Sequence, residues 1–242
     1  AVTLADAGCV CSLSAGGQSG DTEVRTMSTR CRLCGAGDVR LLYRGDARAQ
    51  GREFLLCARC DLVFVPDEFL VTPAQERARY LKHRNDPGDE GYRSFLGRLL
   101  HVLVPLLPPG ARGLDYGCGP TPVLMTMLGD LGFPMRGYDL YFRPDDAALR
   151  ESYDFITCVE TAEHFRAPLE EFERMAGSLR PAGVLGLMTA LCPEDSWSAT
   201  GLARWHYISD ETHICFYSPR TMAWLAQRFA WSLRVCAGDV VI

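Results

Sequence analysis

The sequence predicts an α/β protein in which a mostly parallel sheet, with helices on both faces, follows a small cysteine-rich module. Three observations lead to this prediction. Two Cys-x-x-Cys pairs lie near the start of the chain, a strand, a glycine turn and a helix follow one another near its middle, and strands and amphipathic helices alternate from there onward. Such alternation is typical of a parallel sheet with helical crossovers. A chain of 242 residues is long enough for one such domain and one small module.

Composition and charge exclude several classes of protein. The net charge is −5 and no long run of Lys or Arg occurs, which disfavours nucleic acid as a partner. The most apolar run, residues 99–107, is interrupted by His101 and is much shorter than the about 20 residues of a membrane span. The 11 cysteines comprise two close pairs and scattered residues, which indicates bound metal in a reducing cytoplasm and not a disulfide framework. We expect a cytoplasmic protein without a membrane anchor.

The first 26 residues are rich in Gly, Ser, Ala and Thr. They lack the basic start and apolar core that mark a secretory signal. We expect residues 1–26 to form a disordered leader.

The two cysteine pairs form a candidate metal site. Their members are Cys31, Cys34, Cys57 and Cys60. A tight turn within each pair can present two thiolates to one tetrahedral Zn²⁺ at about 2.3 Å. A redox-active pair would occur once beside a βαβ unit, whereas these pairs lie among short strands. We expect residues 27–68 to be a zinc ribbon with a structural metal, because a module of about 35 residues seldom buries enough surface to fold unaided.

Residues 69–108 are predicted to be a helical linker. Thr72-Pro73 is a typical helix start, an apolar helical stripe runs over residues 95–103, and Pro108-Pro109-Gly110 ends the helix. A polar, turn-rich segment at residues 83–92 separates two helices. It is either a solvated loop or a lid over the active site.

The glycine turn indicates a nucleotide-type cofactor. Residues 113–120 form a strand that ends in Gly117 and Gly119, which permit a tight bend and a close approach to a ligand, and a helix follows. The next strand ends in Asp139, 22 residues beyond Gly117, where a carboxylate suits the ribose hydroxyls of an adenosine-containing cofactor. This arrangement predicts a Rossmann-like fold.

Charge favours a sulfonium cofactor over a dinucleotide. The third glycine of the dinucleotide fingerprint is replaced by Pro122, and Asp115 would repel a pyrophosphate. The same carboxylate favours the cationic amino group of a methionine moiety. S-adenosylmethionine is therefore the expected cofactor, and a nicotinamide-dependent dehydrogenase is the last alternative.

The sequence resembles class I S-adenosylmethionine-dependent methyltransferases, and among them the ubiquinone-biosynthesis-type methylases. The matching stretches are Leu114-Asp115-Tyr116-Gly117-Cys118-Gly119, Asp139, Tyr153-Asp154-Phe155-Ile156-Thr157 with Glu160-Thr161-Ala162-Glu163-His164, and Leu179-Arg180-Pro181-Ala182-Gly183. The resemblance covers residues 109–242, and the zinc module is similar to ribbons in front of some members. It implies a cofactor site formed by Asp115, Tyr116, Gly117, Cys118, Gly119, Asp139, Leu140 and Glu160. The first five would surround the methionine part, Asp139 would bind the ribose, and Glu160 would line the pocket.

The chain departs from the family pattern after Asp139. About a dozen residues separate it from the strand that begins at Tyr153, too few for a helix, a third strand and another helix. The part that in the family gives an acidic contact to adenine is therefore expected to be missing or shortened.

Two histidines are candidate catalytic residues. Ligand sites of such folds lie at the carboxyl ends of the parallel strands. His164 follows the fourth strand, and His213 lies in an aromatic-rich segment, residues 205–217, after the fifth. An imidazole can accept the proton of an oxygen or carbon acceptor near neutral pH, although each residue could instead be a hydrogen-bonded structural histidine.

The leading functional hypothesis is methyl transfer to an oxygen, nitrogen or carbon atom of a small molecule. A second is a methyltransferase acting on RNA or protein, with the ribbon as docking module. Seven arginines of the ribbon suit that second hypothesis: Arg30, Arg32, Arg40, Arg44, Arg48, Arg52 and Arg59. A third is a non-catalytic module that only binds the cofactor.

Overall fold

The computed structural model describes residues 29–82, 85–192, 197–236 and 239–242. The leader expected at residues 1–26 lies outside these ranges, as do residues 83 and 84 of the polar segment. The strands are β1 (Val39–Arg44), β2 (Glu53–Cys57), β3 (Val63–Phe64), β4 (Gly113–Tyr116), β5 (Met135–Tyr138), β6 (Tyr153–Val159), β7 (Leu179–Met188), β8 (Cys215–Phe216), β9 (Val235–Cys236) and β10 (Val240–Val241). The helices are α1 (Pro73–Tyr80), α2 (Glu90–Leu103), α3 (Val123–Asp130), α4 (Pro168–Ser178), α5 (Ala199–Arg204) and α6 (Pro219–Phe229).

The larger of the two sheets has six strands in the order β5-β4-β6-β7-β10-β9. Strands β5, β4, β6 and β7 are parallel, and β10 pairs antiparallel with both β7 and β9. The mostly parallel, Rossmann-like sheet is therefore confirmed.

Helices cover both faces of this sheet, as expected. Side chains alternate between the faces along a strand. Phe155 and Met188 belong to the core that includes residues of α2 and α3. Their neighbours Ile156 and Leu187 belong to a second core with residues of α4 and α6.

The smaller sheet combines distant parts of the chain. Its order is β1-β2-β3-β8, and all its pairs are antiparallel. Strand β8 lies in the aromatic-rich segment, where no strand was predicted, and it pairs Phe216 with Val63. The ring of Phe216 also packs at 5.6 Å, centroid to centroid, from that of Phe54 in β2. The ribbon therefore shares a sheet and a core with the segment after β7.

The predicted helical linker consists of α1 and α2. Thr72 caps α1 by a reciprocal pair of hydrogen bonds with Gln75. In α2 the buried residues Leu96, Leu99 and Leu103 form the apolar stripe expected from the sequence. No helix of the described ranges is long and apolar enough to cross a membrane.

The segment between β5 and β6 is as short as the sequence predicted. Within it the structure shows one isolated bridge, Asp139 with Arg143, and one 3-10 turn, Ala148–Arg150. Since all residues of this segment are described, the usual extra strand and its helices are absent here.

Candidate functional site

A cavity of about 470 Å³ lies at the carboxyl ends of β4, β5 and β6. The predicted cofactor residues and both candidate histidines line it: Asp115, Tyr116, Gly117, Cys118, Gly119, Asp139, Leu140, Glu160, His164 and His213. Parallel pairing accounts for this arrangement, because β4 aligns Asp115 with Gly137 of β5 and Thr157 of β6. The four cysteines lie apart from it in the ribbon. The structure thus assembles every predicted site residue into one cavity or one cysteine cluster.

The linker helices also contribute to the cavity. Glu76 and Tyr80 of α1 line it, and so do Asn85 and Tyr92. The Glu76 carboxylate accepts hydrogen bonds from the hydroxyls of Tyr80, at 2.6 Å, and Tyr141, at 2.9 Å. This placement supports the lid interpretation of the polar segment for its described part.

The glycine turn has a conformation that requires glycine at its first position. Gly117 has φ +82°, and a Cβ atom there would lie 2.3 Å from the side chain of Thr161. The N–H groups of Gly117 and Cys118 both donate to the carbonyl of Tyr138, at 2.8 and 3.1 Å. The bend is therefore fixed against β5, and the backbone is open to a ligand on its outer side.

Asp139 holds the turn together. Its Oδ2 accepts the N–H of Gly119 at 2.9 Å, and its Oδ1 accepts those of Tyr141 and Phe142 at 2.8 and 2.9 Å. A carboxylate has about four lone-pair sites, so about one acceptor site remains for a ribose hydroxyl beside these backbone bonds. Asp139 therefore has a structural role that the sequence did not reveal, and its ribose role stays a prediction.

The side chains of Tyr116 and Cys118 have no reactive group available to a ligand near pH 7. The Tyr116 hydroxyl donates to Glu171, and its ring packs 5.1 Å from that of Tyr138. Burial raises the pKa of the Cys118 thiol to about 12. The thiol is therefore neutral near pH 7 and is not a nucleophile.

Buried carboxyl groups give the cavity its electrostatic character. Asp115 is only 4% exposed, and the Thr157 hydroxyl donates to it at 2.7 Å. Burial raises the pKa of Asp115 to about 6. Burial, and then the negative charges of Glu163 and Asp239, raise the pKa of Glu160 to about 9. Near pH 7 the Glu160 carboxyl is therefore mostly neutral, and a positively charged ligand beside either group would favour its ionised form.

The two histidines lie side by side at one end of the cavity. Their ring centroids are 4.9 Å apart. The Nδ1 of His164 is 2.9 Å from the carbonyl of Thr212, and that of His213 is 2.8 Å from the carbonyl of Tyr207. If each Nδ1 donates to its carbonyl, each Nε2 carries the lone pair. Burial lowers the pKa of His213 to about 4, so its imidazole is neutral near pH 7.

Glu163 completes this end of the cavity, although it was not among the predicted catalytic or cofactor-binding residues. It is fully buried and accepts hydrogen bonds from the hydroxyls of Tyr207, at 2.5 Å, and Thr189, at 2.9 Å. One carboxylate oxygen and two imidazole nitrogens lie within 4.8 Å of one another here, and they belong to Glu163, His164 and His213. Such a set of ligand atoms could hold a cation. The signal in the sequence was the Glu-His pair after β6.

The four cysteines of the ribbon have the geometry of a metal site. Their Sγ atoms lie within 4.8 Å of one another, with 3.5 Å between Cys31 and Cys60 and between Cys34 and Cys57. Tetrahedral Zn²⁺ with bonds of about 2.3 Å places its sulfur ligands roughly 3.8 Å apart. The donor set therefore fits zinc.

The second cysteine turn is attached to the rest of the chain. Asp61, at φ +62°, follows Cys60. Its Oδ2 accepts hydrogen bonds from the Trp197 indole, at 2.8 Å, and from the Ser218 hydroxyl, at 2.5 Å. The same residue that shapes the turn thus contacts the N-cap of α6.

Comparison with known proteins identifies the family. A model of the methyltransferase domain matches residues 89–234, more than half of the chain. The chain therefore belongs to the methyltransferase domain family, and the prediction of an S-adenosylmethionine-dependent methyltransferase is confirmed. No curated protein matches the chain.

Several solved structures are similar to the chain. A candidate methyltransferase from Bacillus halodurans has 17% identity and a TM-score of 0.47, over 58% of this chain and 67% of that one. The 1,6-didemethyltoxoflavin-N1-methyltransferase of Burkholderia thailandensis, solved with 1,6-didemethyltoxoflavin and S-adenosylhomocysteine, has 14% identity and a TM-score of 0.47, over 76% and 94%. A SAM-dependent methyltransferase from Geobacter sulfurreducens, in complex with S-adenosylhomocysteine, has 19% identity and a TM-score of 0.37, over 69% and 74%. At this level of similarity they carry no argument about the chemistry of this chain.

Replacing Gly117 with Ala should lower the free energy of unfolding by about 2–4 kcal/mol. Alanine is strained in the left-handed backbone conformation of this position, and its Cβ would overlap the side chain of Thr161. The matched control is Gly119→Ala, where φ is +65° but nothing lies within 4 Å of the added Cβ. The control should cost about 1 kcal/mol. Chemical denaturation measures both, and equal losses would contradict the close packing of the turn.

Proposed function

We propose that the chain transfers the methyl group of S-adenosylmethionine to a small-molecule acceptor held in the same cavity. The observation that supports this most directly is the cavity itself, which joins the glycine turn and Asp115 at one end to His164 and His213 at the other. Its volume of about 470 Å³ lies within the ordinary range of small-molecule sites. Residues of α1 and α2 also line it.

The methionine part would lie against the glycine turn. The Asp115 carboxylate would bind the α-amino group, and the backbone around Gly117 and Gly119 would allow close approach. Asp139, with Leu140 beside it, would bind the ribose. Adenine would stack on the ring of Phe142, which lines the cavity where the usual third strand is absent.

S-adenosylmethionine, when bound, supplies a methyl group on a positively charged sulfur. The residues of the chain hold the acceptor atom in line with that methyl group and keep water out. Where the acceptor loses a proton, the Nε2 of His164 or His213 would accept it, although the lowered pKa of His213 makes its imidazole a weaker base than a free histidine. Both histidines therefore remain the proposed catalytic residues.

The ribbon arginines favour a small acceptor over RNA or protein. Arg32 donates to the carbonyls of Val65 and Arg166, both at 3.0 Å, and Arg44 pairs with Glu53 at 3.0 Å. Arg52 is buried. These arginines form hydrogen bonds and ion pairs within the chain or are buried, so they offer less positive charge to a docking partner. We propose that the ribbon holds one structural Zn²⁺ and supports the fold.

The acceptor can be found by labelling. Incubation of the enzyme with cell extract and methyl-labelled S-adenosylmethionine should place the label in the low-mass fraction. Label in the RNA or protein fraction would support the docking hypothesis instead, and no label despite cofactor binding would indicate a non-catalytic module. Heat-inactivated enzyme is the control.

Cofactor binding should depend on pH through Asp115. Because the pKa of this carboxyl is about 6, it is charged above pH 6 and neutral below. The affinity for S-adenosylhomocysteine, which retains the amino group, should therefore fall as the pH drops from 7.5 to 5. Asp115→Asn should weaken binding about 10- to 100-fold at pH 7.5, as expected for a charge-assisted hydrogen bond.

Calorimetry at several pH values measures these affinities. In the Asp115→Asn variant the fall between pH 7.5 and 5 should disappear. The control is Asp130→Asn, an exposed carboxylate at the end of α3, which should bind like the unmodified chain. An Asp115→Asn variant of unchanged affinity would contradict the proposed amino-group contact.

Titration of the thiols with a mercurial should release about one zinc per chain, because four thiolates form one closed site. Measuring released metal separates this site from the Glu163, His164 and His213 cluster, which has no thiolate. Cys57→Ser should abolish the release, whereas Cys236→Ser, a half-buried cysteine outside the cluster, should not. Absence of released zinc from the unmodified chain would refute the zinc ribbon.

A further inference from the structure

The loop that follows α5 carries two side chains of the acceptor end. Residues 206–209 form a 3-10 turn, and residues 210–214 have no helix or strand. Tyr207 donates to Glu163, and His213 lies beside His164. Carbonyl groups in such a loop have no regular backbone partners and must find others where they are buried.

Arg52 supplies those partners from the ribbon. Its Nη2 donates to the carbonyls of Ile208, at 2.5 Å, and Asp210, at 2.9 Å. Its Nη1 donates to those of His213, at 2.9 Å, and Glu211, at 3.3 Å. One guanidinium thus binds four carbonyls of a single loop.

The charge of Arg52 suits this role. The residue is 3% exposed, and burial lowers its pKa to about 10. It therefore remains a cation near pH 7. A planar guanidinium presents five donors in a fixed fork, whereas a lysine ammonium presents three donors from one atom. Lysine at this position could not satisfy four carbonyls.

The position of the His213 ring follows from the loop backbone. Its own carbonyl is bound by Arg52, and its Nδ1 is bound to the carbonyl of Tyr207. A second clamp comes from α1, where Arg79 donates to the Asp210 carboxylate at 2.7 and 3.1 Å. The loop is thus held between the ribbon on one side and α1 on the other.

From this geometry we propose that Arg52 is a positioning residue for the acceptor end of the site. It fixes the backbone of residues 208–213 and thereby orients the His213 imidazole toward the acceptor. The ribbon therefore acts in methyl transfer by supporting this loop. The consequence for transfer rests on the proposed function, whereas the effect on the loop does not.

The test compares Arg52→Lys with Arg44→Lys in the full chain. Arg44 lies in β1 opposite Glu53, the residue after Arg52, but it is exposed, with its side chain 67% accessible, so its replacement is the matched control. Hydrogen exchange followed by mass spectrometry reports the mobility of residues 206–214 and of β4 to β7. Calorimetry measures the affinity for S-adenosylhomocysteine, which reports whether the cofactor-binding part of the cavity is intact.

In Arg52→Lys, exchange over residues 206–214 should rise at least about tenfold, since roughly one hydrogen bond or more is lost. Exchange over β4 to β7 and the affinity for S-adenosylhomocysteine should stay within about twofold of the unmodified chain. Addition of millimolar guanidinium to an Arg52→Ala variant should restore slow exchange in the loop. Arg44→Lys should change none of these quantities.

Two results would overturn the proposal. Unchanged exchange over residues 206–214 would show that Arg52 does not hold the loop. Faster exchange throughout the large sheet, together with lost cofactor binding, would show a general loss of stability and no local positioning. Once an acceptor is known, Arg52→Lys should lower kcat and leave the KM for the cofactor unchanged. Failure to find an acceptor would weaken the proposed function but leave the exchange result intact.

Discussion

The parallel pairing of β4 with β5 and β6 is the constraint on which the site depends. Because the three strands run in the same direction and in register, their carboxyl ends meet at one edge of the sheet. The glycine turn, Asp139 and Glu160 leave the sheet at this edge, although they are far apart in the chain. Asp139 then ties the glycine turn to the segment after β5, because its carboxylate accepts the N–H groups of both Gly119 and Tyr141. The cavity is therefore a direct consequence of strand direction.

Desolvated carboxyl groups determine which ligands the cavity favours. Asp115 and Glu160 both have raised pKa values because burial penalises their charged forms. Glu163 is fully buried and, among the described residues, its nearest basic group is His164 at 4.0 Å. A cationic ligand would favour the ionised forms of these carboxyl groups. A sulfonium cofactor with an ammonium group has the charge that such a cavity accommodates best.

The ribbon and the domain of the large sheet share more contacts than two independent domains joined only by a linker would need. Strand β8 completes the ribbon sheet, Asp61 contacts the N-cap of α6, and Arg52 binds the loop that carries His213. Each link joins residues more than 150 positions apart. A structural metal in the ribbon would therefore stabilise one wall of the site, since the fold of the ribbon and the position of that wall depend on the same contacts.

Local patterns in the sequence determined the class of fold and most of the site. The glycines, the acid after β5 and the cysteine spacing encode local geometry, so Gly117, Asp139 and Cys31 could be proposed as site residues without a structure. Only the tertiary structure decided which distant residues meet. Neither the short strand β8 nor the role of Arg52 has a local signal. A two-residue strand is too short to show periodicity, and a buried arginine cannot be distinguished from an exposed one by its sequence neighbours. Their partners are carbonyl groups and strands supplied by the folded chain, so they exist only once that chain has folded.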